Sequence, residues 1–260
     1  MQLFHTVLYQ PIFNLFVGLY DYLPGSDVGL VILIITILVR LALYPMTSKS
    51  IRAQRNMQEL QPKLNKIKQQ YKDDKQKQTQ AIMELYKKSK VNPLGSCLPL
   101  LIQLPILIAL YMVMRDALAS VDLAKNLYSF IPNPGTISPK SLGYFELGQP
   151  DKVLAFLAGA AQYWQARTMS RKQTRMMAPK SAGKGAKDEN MMAMMNKQML
   201  YFMPVITVVI GFSLPAGLTL YWFFSTLLMA FQQMWLTKKA DKEDAAKKTE
   251  SGAIEGEVVK

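Results

Sequence analysis

Residues 28–45 read VGLVILIITILVRLALYP, eighteen positions with a single charge, Arg40. An α-helix rises 1.5 Å per residue, and roughly 20 mainly apolar residues carry it across the hydrocarbon core of a bilayer. Four more stretches of this kind follow, at 97–116, 151–167, 199–214 and 217–236. Together the five take up about 100 of the 260 residues, more than a single soluble core needs. The expected fold is therefore an all-α polytopic membrane protein with five transmembrane helices. Pro215-Ala216-Gly217 leaves room only for a tight turn between the last two spans.

Charge orients the spans. Segment 46–90 holds twelve Lys/Arg against four Asp/Glu, and segment 167–198 holds eight against two. Segment 1–27 has Asp21 and Asp27 with no Lys or Arg, and 117–150 balances Lys125 and Lys140 against Asp122 and Glu146. Basic and neutral segments alternate as five spans demand, which puts the N-terminus outside and the C-terminus in the cytoplasm. The net charge of +13 then reflects anionic lipid headgroups and the positive-inside rule. Ribosomal RNA is a secondary partner in this reading, and DNA is not one.

The segments between the spans differ in kind. Residues 1–27 lack the basic n-region of a signal peptide, and Pro11 interrupts their apolar run. Phe4, Leu8, Phe13, Phe16 and Tyr20 suggest an external amphipathic helix lying in the interface and broken before Pro24-Gly25. In 46–91, Met57, Leu60, Leu64, Ile67 and Tyr71 alternate at intervals of three and four, which places them on one helical face. Asp73-Asp74 interrupts this pattern, and a second run through Ala81, Ile82, Leu85 and Tyr86 completes a cytoplasmic helical hairpin, with a kink or restart expected near Pro62. Two helices flat on the headgroups would show the same periodicity. Segment 117–150 is expected to be an external loop and 168–198 a cytoplasmic basic loop, with flexing expected about Pro179–Asn190. Methionines 191, 192, 194, 195, 199 and 203 read as soft filler on the helix entering the fourth span. The tail 237–260 carries six basic and six acidic residues and is expected to be disordered.

Catalytic constellations are missing. The single cysteine, Cys97, excludes an internal disulfide and a cysteine-built metal site, and the single histidine, His5, has no partners in sight. There is no phosphate-cradling glycine loop or HExxH, Ser213 and Ser225 have no histidine to activate them, and the spans contain no internal Asp or Glu. No cofactor or metal is expected, and the protein does not read as an enzyme.

Arg40 is the exception that needs explaining, because a charge within a span costs several kcal/mol by insertion scales unless it reaches water or a partner. It lies five residues before Pro45, about 7.5 Å along a helix. It either snorkels to the inner headgroups or faces a water-filled cavity open to the cytoplasm. Gln103, Gln162, Gln165, Thr219, Tyr221, Ser225, Gln232 and Gln233 are available to line such a cavity, since lipid-facing amides are expensive. A lone positive charge there suits a transient anionic guest, either a solute or the polar end of a hydrophobic polypeptide. The apolar part of the polypeptide would partition into lipid and supply the free energy.

Four long motifs, in order, resemble the YidC/Oxa/Alb3 membrane protein insertases. NPLGSCLP at 92–99, continuing LLIQLPILIALYMVMRDAL, is similar to the start of that family's second core span. MQELQPKLNKIKQQYKDDKQKQTQAIMELYKKSKVNP at 57–93 resembles its cytoplasmic hairpin, and FMPVITVVIGFSLPAGLTLYWFFSTLLMAFQQ at 202–233 its last two spans. LVRLALYPMTSKS at 38–50 matches the segment of its groove arginine. The resemblance covers about residues 28–236. It implies five helices around a hydrophilic groove open to the cytoplasm and closed outside, with Arg40 as the groove charge and Gln103 and Gln162 as polar lining. Tyr221 looks like the aromatic that touches the substrate's hydrophobic segment, with Trp222 beside it. The implied activity is insertion and chaperoning of nascent membrane proteins without nucleotide hydrolysis, in a bacterial plasma membrane. The hairpin would meet ribosome, signal-recognition targeting components or the Sec translocon. Thr226 departs from the asparagine usual after the serine, and the short tail of mixed charge differs from a strongly basic ribosome-binding tail. A small transporter or anion channel and a purely structural assembly factor are the competing readings.

Overall fold

The computed structural model describes residues 2–92, 98–119, 123–177 and 198–257. The Asn92–Pro99 motif, the Pro179–Asn190 stretch and methionines 191–195 fall wholly or largely outside the described residues. After a turn at Gln2–Phe4 and a π-helical turn at His5–Tyr9, helix α1 spans Gln10–Tyr22. Pro11 does not break it: the chain is already helical in the π turn ahead of it, where the bonds shift to i, i+5 and accommodate the missing N–H.

Helix α2, Val28–Gln70, begins at Asp27, whose side chain accepts from the Leu30 N–H at 3.1 Å as an N-cap does. The expected boundary at Pro45 is not a helix boundary. α2 runs unbroken through Pro45 and Pro62 for 43 residues, about 64 Å. Both proline rings are exposed, so each removes one backbone donor at the surface without disturbing a packed face. Helix α3, Lys75–Lys88, is capped by Asp74 on the Lys77 N–H at 3.0 Å and returns beside α2, with Gln78 Nε2 donating to the Lys68 carbonyl at 3.2 Å. Leu60 and Leu64 are buried, while Met57, Ile67 and Tyr71 are half-buried.

Helix α4 covers Leu98–Leu118, α5 Lys152–Met177, α6 Met203–Gly211 after a π-helical turn at Gln198–Phe202, and α7 Ala216–Glu257. The tail expected to be disordered is thus helical as far as Glu257. Its Ala, Lys and Glu residues are good helix formers, and Arg55 reaches from α2 to Asp241 at 3.2 Å. By length and apolarity, two of the described helices qualify to cross a bilayer, in Val28–Gln70 and Leu101–Leu118.

Contacts fix the helix directions. Bonded partners on α2 and α7 stay 184 to 188 residues apart from Arg40–Ser225 to Ser48–Gln232 and Tyr44–Gln232, so these helices run parallel. Gln149 meets Ala216 and Trp164 meets Phe231, so α5 also runs with α7. Ala155 faces Gly211 while Gly159 faces Pro204 and Val208, so α6 runs against α5. A Cβ on Gly159 would come within 3.1 Å of the Pro204 carbonyl oxygen as well as meeting the Val208 side chain. Small residues let the backbones approach this closely. Met114 borders Gly217 and Gln103 reaches Tyr221, so α4 is antiparallel to α7.

One end of the bundle is capped. The apolar face of α1, in the segment expected at the membrane interface, packs into the bundle. Phe13, Phe16, Val17 and Tyr20 are buried in one core with Val31, Ile32, Leu110, Met114 and Leu218. Asn14 Nδ2 donates to the Asn126 carbonyl at 2.8 Å, and the Ser138 N–H donates to the Tyr20 hydroxyl at 2.9 Å. A short hairpin, β1 Lys140–Ser141 with β2 Phe145–Glu146, lies over the same end. Ser141 Oγ donates to Asp27 at 2.7 Å, and the Gly217 N–H donates to the Leu147 carbonyl at 2.9 Å.

Candidate functional site: a polar row inside an apolar bundle

The first half of α2 is almost wholly apolar, and Arg40 projects from it toward α7. Its Nε donates to Ser225 Oγ at 3.0 Å, and a second guanidinium nitrogen, Nη2, donates to the same oxygen. Among the described residues, no carboxylate lies within ion-pair distance of Arg40. The hydroxyl is neutral and Ser225 is buried, so the contact orients the guanidinium without cancelling its charge.

Ser225 lies one helical turn beyond Tyr221, on the same face of α7. The Tyr221 ring is buried, and its hydroxyl accepts from Gln103 Nε2 on α4 at 2.9 Å. Three helices therefore place Arg40, Ser225, Tyr221 and Gln103 in one row. Two turns further along α7, Gln232 Nε2 donates to Ser48 Oγ at 3.3 Å. Gln162 is not in the row. It accepts from Thr207 Oγ1 across the α5–α6 contact, and Thr207 is buried. Trp222, one residue after Tyr221, is half-buried. The expected residues thus fall into two groups, Arg40 with Gln103 and Tyr221, and Gln162 apart. Sequence reasoning had named Ser225 only as one of several polar candidates. Its i, i+4 spacing from Tyr221 was the available signal for its place in the row.

At the capped end two groups outside the apolar spans are electrostatically set. Burial pushes the Tyr9 hydroxyl well above its ordinary value, reinforced by its hydrogen bond to Asp116 at 2.8 Å. Asp27 is raised by burial, but donors from Leu142, Ser141, Leu30 and Gly29 outweigh this and hold it below the ordinary carboxylate range. These contacts tie the turn before α1 to the end of α4 and the hairpin to the start of α2, and help close the bundle at that end.

The arrangement offers an uncompensated cation, aligned hydroxyl and amide groups, and no nucleophile–base pair among the described residues. Comparison with known proteins identifies the family. The family model described as "60Kd inner membrane protein" matches residues 19–243. A "Membrane protein insertase YidC" from Fusobacterium nucleatum is 37% identical over 216 residues, covering 82% of this chain and 88% of that protein. One from Oceanobacillus iheyensis is 36% identical over 214 residues, 81% of this chain and 74% of its own. One from Laribacter hongkongensis is 36% identical over 244 residues, 93% of this chain but 38% of that longer protein. The chain belongs to the YidC/Oxa/Alb3 family of 60 kDa inner membrane proteins.

Proposed function

We propose that this protein inserts nascent membrane proteins into the bacterial plasma membrane and chaperones their folding there. The observation that carries the reading is Arg40, a guanidinium within an apolar helix, held by a serine hydroxyl and left without a carboxylate among the described residues. A standing positive charge at that depth is costly and is useful where it draws an anionic, polar guest partway in. In this reading the polar tail of a substrate enters a hydrophilic groove lined by Arg40 and Gln103 and passes to the far side. The hydrophobic segment moves past Trp222 and Tyr221 into lipid, and its partitioning drives the step, so no nucleotide is hydrolysed.

Five spans, with the N-terminus outside and the C-terminus in the cytoplasm, accord with the parallel course of α2, α5 and α7 and the opposite course of α4 and α6. The cap formed by α1 and segment 123–150 closes the outer side in the same reading. The cytoplasmic hairpin of α2 and α3 receives nascent chains and meets targeting components, ribosome or Sec translocon, while the basic segments hold anionic lipid.

The test uses purified protein in liposomes and a single-span substrate with an acidic N-terminal tail, scored by protease protection of the translocated tail. Insertion by the wild type, lost in Arg40→Ala and largely kept in Arg40→Lys, is expected. Insertion no better than empty liposomes across several substrates would refute the proposal.

A further inference from the structure

Two cavities meet at the capped end of the bundle. One is bordered by Tyr144, Glu146, Gln149 and Asp151, at the tip of the β-hairpin and the start of α5. The other is apolar, with Leu30, Leu33, Leu220 and Phe224 of α2 and α7 among its walls. Phe145 and Leu154 border both. The apolar cavity has a volume of about 210 Å³. It reaches from the N-cap Asp27 to Leu33 on α2 and to Phe224 on α7, about 9 to 12 Å from the helix starts. That depth lies within one leaflet of a bilayer whose hydrocarbon core is about 30 Å thick.

Glu146 and Asp151 put negative charge at the mouth, and Lys140 and Lys152 flank them just outside its walls. Glu146 faces Lys140 across the two-stranded ladder, and both side chains are exposed. No ion pair joins them among the described residues, although opposed Cβ atoms stand only about 5 Å apart. Asp151 gives one oxygen to the Leu154 N–H at 2.7 Å as the cap of α5, and Lys152 beside it is exposed.

The geometry points to a binding site for a zwitterionic phospholipid, with an acyl chain in the Leu30–Phe224 slot and the headgroup ammonium at Glu146 and Asp151. Lys140 and Lys152 complement the phosphodiester of the same lipid, so the headgroup's two charges each meet their opposite. This site lies away from the α4 face and the polar row, and it rests on the proposed bilayer placement of the chain.

Native mass spectrometry of the full-length protein, released from nanodiscs holding equal phosphatidylethanolamine, phosphatidylcholine and phosphatidylglycerol, tests it. Wild type is expected to retain phosphatidylethanolamine and phosphatidylcholine about two- to fivefold over phosphatidylglycerol, the upper part of the range that exposed charge pairs supply. Glu146→Lys, on the exposed hairpin, is expected to shift the preference to phosphatidylglycerol. Leu154→Trp, which fills the slot, is expected to lower retention of all three, with circular dichroism confirming the helical fold. Equal retention of the three lipids by wild type, or a preference indifferent to Glu146→Lys, would overturn the assignment. Insertion is measured on the same preparations. Insertion without lipid preference refutes only the lipid site, and lipid preference without insertion refutes only the proposed function.

Discussion

Ser225→Ala isolates the contact that orients the Arg40 charge. In the native protein the Arg40 guanidinium places two nitrogens on one Ser225 oxygen, with the Nε–Oγ distance 3.0 Å and the serine buried. Hydrogen bonds between membrane helices average about 0.6 kcal/mol and reach about 1.7 in double-mutant cycles, whereas bonds to a charged group contribute about 1.5–3 kcal/mol in soluble proteins. A charged, two-donor contact inside an apolar bundle belongs near the top of the membrane range, about 1–2 kcal/mol. The assay is reversible unfolding in mixed micelles followed by circular dichroism, for wild type, Arg40→Ala, Ser225→Ala and the double variant. The expected coupling energy is about 1–2 kcal/mol, with Ser225→Ala also slowing insertion of acidic-tailed substrates and leaving neutral-tailed ones nearly unchanged. Coupling below about 0.3 kcal/mol, the error of such cycles, would mean that Arg40 finds water or lipid phosphate just as readily, and the orienting role would fall.

Other outcomes follow from single contacts. Tyr221→Phe leaves the Gln103 amide without its acceptor at 2.9 Å and should cost about 1–3 kcal/mol, whereas Tyr221→Phe with Gln103→Leu should recover most of that loss in the same unfolding assay. Gly159→Val drives a branched side chain into Val208 and the Pro204 carbonyl and should cost about 1–3 kcal/mol of stability, seen as a lower midpoint of unfolding. Because the folded pKa of Asp27 is depressed, by donors that outweigh its burial, its stabilising contribution is full above the unfolded value of about 3.9. That contribution is lost as pH falls below this value and through the lower folded one. Asp27→Asn should flatten this acid limb of a stability–pH curve, and an unchanged limb would count against the cap.

Several features were legible in the chain because they depend on neighbours a few residues apart. The apolar runs located the helices that became Leu98–Leu118 and Lys152–Met177 to within a few residues at their starts. Asp73-Asp74 marked a real turn, since Asp74 caps the next helix. Helix ends were less legible than helix positions. Pro45 marked the end of an apolar run, yet the helix continues into the basic segment, and the helix of the last span continues into the charged tail. Local propensity sets a bias of only about 1–3 kcal/mol per residue at most, so the end of an apolar run need not be the end of a helix.

By itself, then, the sequence determined the helical class, the charge asymmetry and the isolation of Arg40, all consequences of composition and short-range periodicity. Tertiary structure alone decided what Arg40 touches, because Ser225 is 185 residues away and only the parallel register of two helices brings them together. The same register buries Tyr221 against Gln103 and leaves Gln162 to Thr207. It was packing, too, that turned the aromatic face of α1 inward. An amphipathic face specifies that something apolar must cover it, and only the tertiary structure shows that the bundle's own core does so.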